Sequence, residues 1–173
     1  MKTNSCPILL RCIALISTAF LLAGCWTQSD TISIRGNGAV EFTSQVTIAD
    51  KSFKPKDVDE ISAECMKAMI RAGWKIERKI LTTTPPYHLT FTGSGDLKKV
   101  KTESDFYHLT KISDKEFQIR FVPAESKGGK SSRSITFSKA LLASDALVTD
   151  SSGKSVTKID NVQAKDTYTI KLD

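Results

Sequence analysis

Apolar residues return on every second position through much of this chain, and at steps of three and four in one stretch. Val40, Phe42, Val46 and Ile48 alternate with polar residues, interrupted only by Ser44. A period of two gives a strand with one apolar face. The pattern predicts strands over 31–35 and 39–49, joined at Gly36, Asn37 and Gly38, because Asn and Gly tolerate the positive φ of a tight hairpin. Trp74, Ile76 and Ile80 alternate, as do Tyr87, Leu89 and Phe91, so strands are expected over 74–83 and 87–92 on either side of Pro85 and Pro86. Phe117, Ile119 and Phe121 give the clearest alternation, pairing 106–112 with 117–122 across Ser113 to Lys115. Strands over 134–138, 141–149, 155–162 and 167–172 follow, with turns at 150–153 and 163–166, which makes the C-terminal third a meander.

Residues 56–72 break this rhythm. Val58, Ile61, Cys65, Met69 and Ala72 form one apolar stripe at helical spacing. Asp57 and Glu60 have the spacing of a capping box, and Gly73 offers a left-handed stop. The polar, lysine-rich stretch 93–104 leaves room for a helical turn near 97–101, and 123–132 reads as an exposed loop. The sum is an α+β domain: a mostly antiparallel β-sheet of many short strands carrying one principal amphipathic helix at about 56–72.

A second apolar run lies at the start. Cys12 to Ala23 carries no charge, and Lys2 and Arg11, both positive, are the only charges before Cys25. Twelve residues suit the core of an export signal, about 7–15 long, and fall short of the roughly 18 that a spanning helix needs. Leu21, Leu22, Ala23, Gly24 and Cys25 close this run and resemble the lipobox of bacterial lipoproteins. The resemblance implies cleavage after Gly24, a diacylglyceryl thioether on Cys25, and anchorage of the chain to a membrane on the exported side. Two acyl chains hold a protein stably where one does not. The expected organisation is a signal over 1–24, a lipidated terminus and short polar tether over 25–30, and a single domain over 31–173. Five tether residues reach about 17 Å at most, which would keep the domain close to its membrane.

Cleavage would leave 149 residues of the 173, enough for one autonomous core. Lys2 and Arg11 leave with the signal, so the formal charge falls from +6 to +4. That mild excess suits anionic phospholipid or cell-wall polymer and is too weak and too evenly spread to indicate nucleic acid. Cys6 and Cys12 also leave and Cys25 is acylated, so Cys65 alone remains: no internal disulfide and no multi-cysteine zinc site can form. Within the helix stripe Cys65 reads as a small buried core residue.

The body pattern adds a second resemblance. A Gly-Asn-Gly hairpin at 36–38, an amphipathic helix ending in Gly73-Trp74, then β-meanders is similar to LppM-type envelope lipoprotein domains over about 31–172. The functional residues of that group are undefined, so no site is implied by it.

Chemistry is sparse. Ala124 to Ser131, with Gly128, Gly129 and Lys130, loosely fits a phosphate-binding loop, but alanine holds the first position and the following residues alternate like a strand instead of opening a helix. Gly36 and Gly38 lack the third glycine and the helix of a dinucleotide loop. Lys127, Lys130 and Arg133 make a basic cluster that can contact an anionic surface, each charge worth roughly 1 kcal/mol there. His88 and His108 lie in separate strands without a close-spaced ligand partner, and no Gly-x-Ser-x-Gly elbow is present. The sequence therefore indicates no cofactor, no metal and no catalytic residue. The expected role is a non-enzymatic, lipid-anchored envelope protein that binds or scaffolds, with the membrane as partner through acylated Cys25 and a protein partner in the envelope. The alternatives are a small-molecule or lipid-binding module, which needs a cavity of about 300 Å³ or more, and an envelope hydrolase using a histidine base.

Overall fold

The computed structural model describes residues 26–124, 131–138 and 145–173. Among the described residues the chain forms ten strands: β1 (Trp26–Ile34), β2 (Ala39–Ile48), β3 (Lys75–Ile80), β4 (Tyr87–Asp96), β5 (Tyr107–Lys111), β6 (Glu116–Phe121), β7 (Ser131–Phe137), β8 (Leu147–Thr149), β9 (Lys158–Ile159) and β10 (Tyr168–Lys171); the start of the strand expected over 141–149 lies outside those residues. The helical run becomes α1 (Pro55–Arg71). The α+β architecture expected from the sequence is present, mostly β, but the strands divide between two sheets. The larger runs β3-β4-β2-β1-β7-β9 and the smaller β5-β6-β10-β8.

The β1–β2 hairpin is in the register its alternation demands, Trp26 opposite Ile48 and Ile34 opposite Val40. Its turn closes with Gly38 donating to the Arg35 carbonyl at 2.8 Å, and Gly38 takes φ +93°, a conformation that glycine adopts without a Cβ penalty. The C-terminal third is not the meander its spacing suggests. β7 runs parallel to β1 from Trp26–Ser131 to Ile32–Phe137, and β9 pairs with β7, whereas β8 and β10 join the smaller sheet. Alternation specifies which face of a strand is buried, not which neighbour it pairs with, so sheet membership was out of its reach.

Helix α1 starts one residue before its expected boundary because Pro55 occupies the first turn, where its missing N–H costs nothing. Asp57 then caps backward, its Oδ2 accepting from the Lys54 N–H at 2.9 Å, so the capping contact runs to Lys54 and not to Glu60. At the other end Gly73 (φ +98°) donates to the Ile70 carbonyl at 3.0 Å, and Trp74 donates to Met69 at 3.1 Å. This pair of bonds reverses the chain and delivers Trp74 into the core. The helical turn expected near 97–101 is present, with Lys99 and Val100 both donating to the Asp96 carbonyl.

The inner face of the larger sheet carries two apolar clusters. One gathers Trp26, Ile48, Val58, Tyr87 and Leu89. The other joins Ile34, Val40, Trp74 and Ile135 to the face of the smaller sheet, including Phe117 and Ile170. In the second, Trp74 lies edge-on to Phe42 and Tyr107, with ring centroids at 5.4 and 6.0 Å, and donates its indole N–H to the Tyr107 hydroxyl at 2.8 Å. Gly95 makes this possible: a Cβ there would lie 2.6 Å from the Trp74 ring.

A candidate binding cleft

The inner positions of β1 alternate Trp26, Gln28, Asp30, Ile32 and Ile34, and those of β2 alternate Val40, Phe42, Ser44, Val46 and Ile48. Polar residues thus fall midway along an otherwise apolar floor. Asp30 sits opposite Ser44, and Gln28 sits opposite Arg133 of β7. Gln28 Nε2 donates to the two Asp30 oxygens at 2.9 and 3.2 Å and to Ser44 Oγ at 3.1 Å. Arg133 Nε donates to Asp30 Oδ2 at 2.7 Å. Its Nη1 reaches the carbonyls of Phe106 and Val122 at 2.9 and 2.7 Å, and its guanidinium lies 5.6 Å from the centroid of the Phe121 ring. The polar belt is therefore fixed to the larger sheet through Asp30 and to the ends of the smaller sheet's strands through Arg133.

Two sequence expectations are corrected here. Residues 26–30 are no tether: they form the first half of β1, paired on both sides, with Trp26 buried. Their run of Thr, Gln, Ser and Asp looked soluble because alternate members face outward while Gln28 and Asp30 face each other's partners. Arg133 is no surface contact: it is 6 % exposed and Asp30 is 3 % exposed. A buried guanidinium requires a carboxylate and carbonyls around it, and these come from residues about a hundred positions away and from a neighbouring sheet. Lys127, Lys130 and Cys25 lie outside the described residues.

Helix α1 roofs this floor. Val58, Ile61, Cys65 and Met69 face the cleft from above. Ser62, not Ile61, is the fully buried member at that level. Arg78 of β3 secures the roof, pairing with the Asp59 carboxylate at 2.9 Å and donating to the Asp59 carbonyl at 2.7 Å and to Ser62 Oγ. Between roof, floor and smaller sheet lies a cleft of about 280 Å³. That falls just short of the roughly 300 Å³ at which small-molecule sites ordinarily begin, so the cleft suits a small or slender ligand. Its lining is mainly apolar, with Gln28, Asp30, Ser44, Ser62, Asp105 and Arg133 as the polar groups. A second cavity, about 130 Å³, lies beside Ile32, Phe137 and Val148.

Cys65 is a buried cleft residue whose thiol is pushed up to about 12, first by burial and next by the nearby Asp105 carboxylate. A thiol held protonated is a weak nucleophile, so the core reading of this residue fits its surroundings. Linkage gives the sign of the pH effect. The unfolded chain loses this proton near the ordinary cysteine value, the folded chain only near 12, so folding stability contributed here is complete below pH 9 and declines as pH rises toward 12. Chemical denaturation of the Cys65→Ala variant should show a shallower alkaline decline than the parent. An unchanged slope between pH 9 and 11 would show that the thiol takes no part in it.

Neither histidine reaches the cleft. His88 sits on the outer face of the larger sheet, with Nδ1 3.1 Å from Thr47 Oγ1. His108 lies in β5 opposite Arg120. Neither lines either cavity. Among the described residues, no three His, Cys, Asp or Glu side chains gather as a metal ion would need, and no helix is long and apolar enough to cross a membrane. The strand expected after the glycine pair at 128–129 is β7. The sequence passed over Gln28, Asp30 and Ser44. The one legible sign was Ser44 itself, a polar residue inside an apolar alternation.

No family model matches this chain, and neither a curated protein nor a solved structure matches it.

Proposed function

We propose that this chain is a lipid-anchored envelope protein that binds one elongated apolar molecule in the cleft beneath α1. The observation that carries this reading is the cleft itself, about 280 Å³ and mainly apolar, which runs between the two apolar clusters of the larger sheet. Burial of apolar ligand surface is worth roughly 25 cal/mol per Å², so a hydrocarbon chain gains most of its affinity from such a lining. The lipobox at 21–25 supports the location, and the pattern shared with LppM-type domains agrees with it. Trp26 already lies in β1, so a lipid on Cys25 would be attached one residue, about 4 Å of chain, from the folded body. A body attached that closely to its lipid would keep the cleft near a leaflet, a store of apolar molecules.

The test uses the full chain carrying Cys25→Ser, so that no attached lipid competes, and the neutral dye N-phenyl-1-naphthylamine. Saturable fluorescence enhancement at one dye per chain is expected. Val46→Trp, which enlarges a half-buried residue of the cleft floor, should weaken binding at least about tenfold, the effect of losing roughly 1.4 kcal/mol. Equal binding by parent and variant, with both folded by circular dichroism, would place the dye elsewhere and remove the proposal.

A further inference from the structure

We infer that the cleft selects an uncharged acyl ester with a hydroxyl-bearing head, a monoacylglycerol in chemical class, and that Gln28 and Ser44 recognise its ester. This rests on the cleft being the binding site. A purely hydrocarbon ligand needs no polar floor, yet Gln28, Asp30, Ser44 and Arg133 interrupt the apolar floor at mid-length. Their charges cancel within the protein. The Arg133 charge is neutralised by Asp30, and its Nε and Nη1 are bound by that carboxylate and two carbonyls, so among the described lining residues a buried ligand carboxylate or phosphate would meet no net positive charge and would lose its hydration largely uncompensated. The rim adds to this. Asp105, the exposed polar residue of the lining, marks the solvent side of the belt, and its carboxylate disfavours an anionic head while accepting from a hydroxyl.

The neutral groups of the belt keep hydrogen-bonding capacity. Gln28 donates through Nε2 to Asp30 and Ser44, and Ser44 receives one of these bonds. Among the described residues this leaves the Gln28 carbonyl oxygen as an acceptor and the Ser44 hydroxyl hydrogen as a donor. An ester carbonyl accepts from Ser44, an adjacent glycerol hydroxyl donates to Gln28, and the second hydroxyl reaches Asp105. The acyl chain continues under α1 along Val46, Phe91 and Ile61. A donor and an acceptor on hydrogen-bonded neighbours in an apolar passage match an ester next to a hydroxyl, and they match neither a hydrocarbon nor an ionised acid.

The chain has two tryptophans, Trp26 and Trp74, and both line the cleft. Brominated acyl chains quench indole fluorescence on contact, so binding can be read without a label. The full chain carrying Cys25→Ser is titrated at pH 8 with 1-(8-bromooctanoyl)glycerol, with 8-bromooctanoate and with 1-bromooctane, whose chains suit a cleft of about 280 Å³. The glycerol ester should bind at least about tenfold more tightly than the carboxylate. Ser44→Ala and, independently, Gln28→Met should each weaken the ester about three- to tenfold and leave the hydrocarbon unchanged, as the loss of one neutral hydrogen bond requires. Equal binding of ester and carboxylate, or an ester affinity untouched by both variants, overturns the head-group assignment while chain binding stands. Absence of saturable quenching by all three ligands overturns the cleft as the site, and this inference with it.

Discussion

Arg133→Met should destabilise the fold by about 3–5 kcal/mol, the cost of removing one partner from a buried ion pair. Asp30→Leu should cost a similar amount. Each change strands an opposite charge that is almost wholly inaccessible to water, at 3 % and 6 % exposure. Each also reaches beyond the pair. Arg133 holds the Phe106 and Val122 carbonyls, so its loss frees the smaller sheet from the larger one at the edge of the cleft. For a domain of about 150 residues, every kcal/mol lowers the melting temperature by about 2–4 °C, so a fall near 10 °C is expected. The double variant Asp30→Leu/Arg133→Met should cost about 2 kcal/mol less than the sum of the single variants, because no buried charge remains unpaired. Urea unfolding of the four proteins measures this directly. Strict additivity would mean that Asp30 and Arg133 do not act on one another.

Trp74→Ala should be comparably damaging, at about 3–5 kcal/mol. The indole joins both halves of the core. It packs edge-on against Phe42 of the larger sheet and Tyr107 of the smaller one, and its N–H donates to the Tyr107 hydroxyl. Removing it opens a cavity and leaves a buried phenol without its donor. The converse change tests the same contact. Gly95→Ala puts a methyl 2.6 Å from the indole and should cost about 1–3 kcal/mol by overpacking. In a Trp74→Ala background the three atoms nearest that methyl are gone, so Gly95→Ala should then cost markedly less. Equal costs of Gly95→Ala in both backgrounds, by thermal or urea denaturation, would show that the close approach of Gly95 to Trp74 places no constraint on the fold.

These two contacts show how far local pattern reaches. Alternation in 39–49 and 117–121 predicted β2 and β6 and their buried faces, because a pleated strand presents every second side chain to the core whatever lies beyond it. The stripe from Val58 to Ala72 predicted α1 for the same reason at a period of 3.6. Gly73 predicted its end, because a left-handed residue closes the last carbonyls of a helix. The cleft was legible in outline only. Ser44 marked the floor as irregular, but its meaning depended on Gln28 and Asp30, which belonged to a run that read as a polar tether. Polar composition resembles a linker when the pairing partners are unknown. Once β1 lies between β2 and β7, the same residues alternate between solvent and a buried belt.

The sequence by itself determined α1, the longer alternating strands and the α+β class, since each depends on neighbours a few residues apart. Tertiary structure alone decided the division into two sheets, the parallel pairing of β1 with β7, the burial of Arg133 against Asp30 and the space beneath α1. These depend on pairings between residues such as Asp30 and Arg133, 103 positions apart, and a register shared by β1 and β7 is a property of two strands at once. Periodicity records whether a residue faces the core; it carries no record of what will stand opposite.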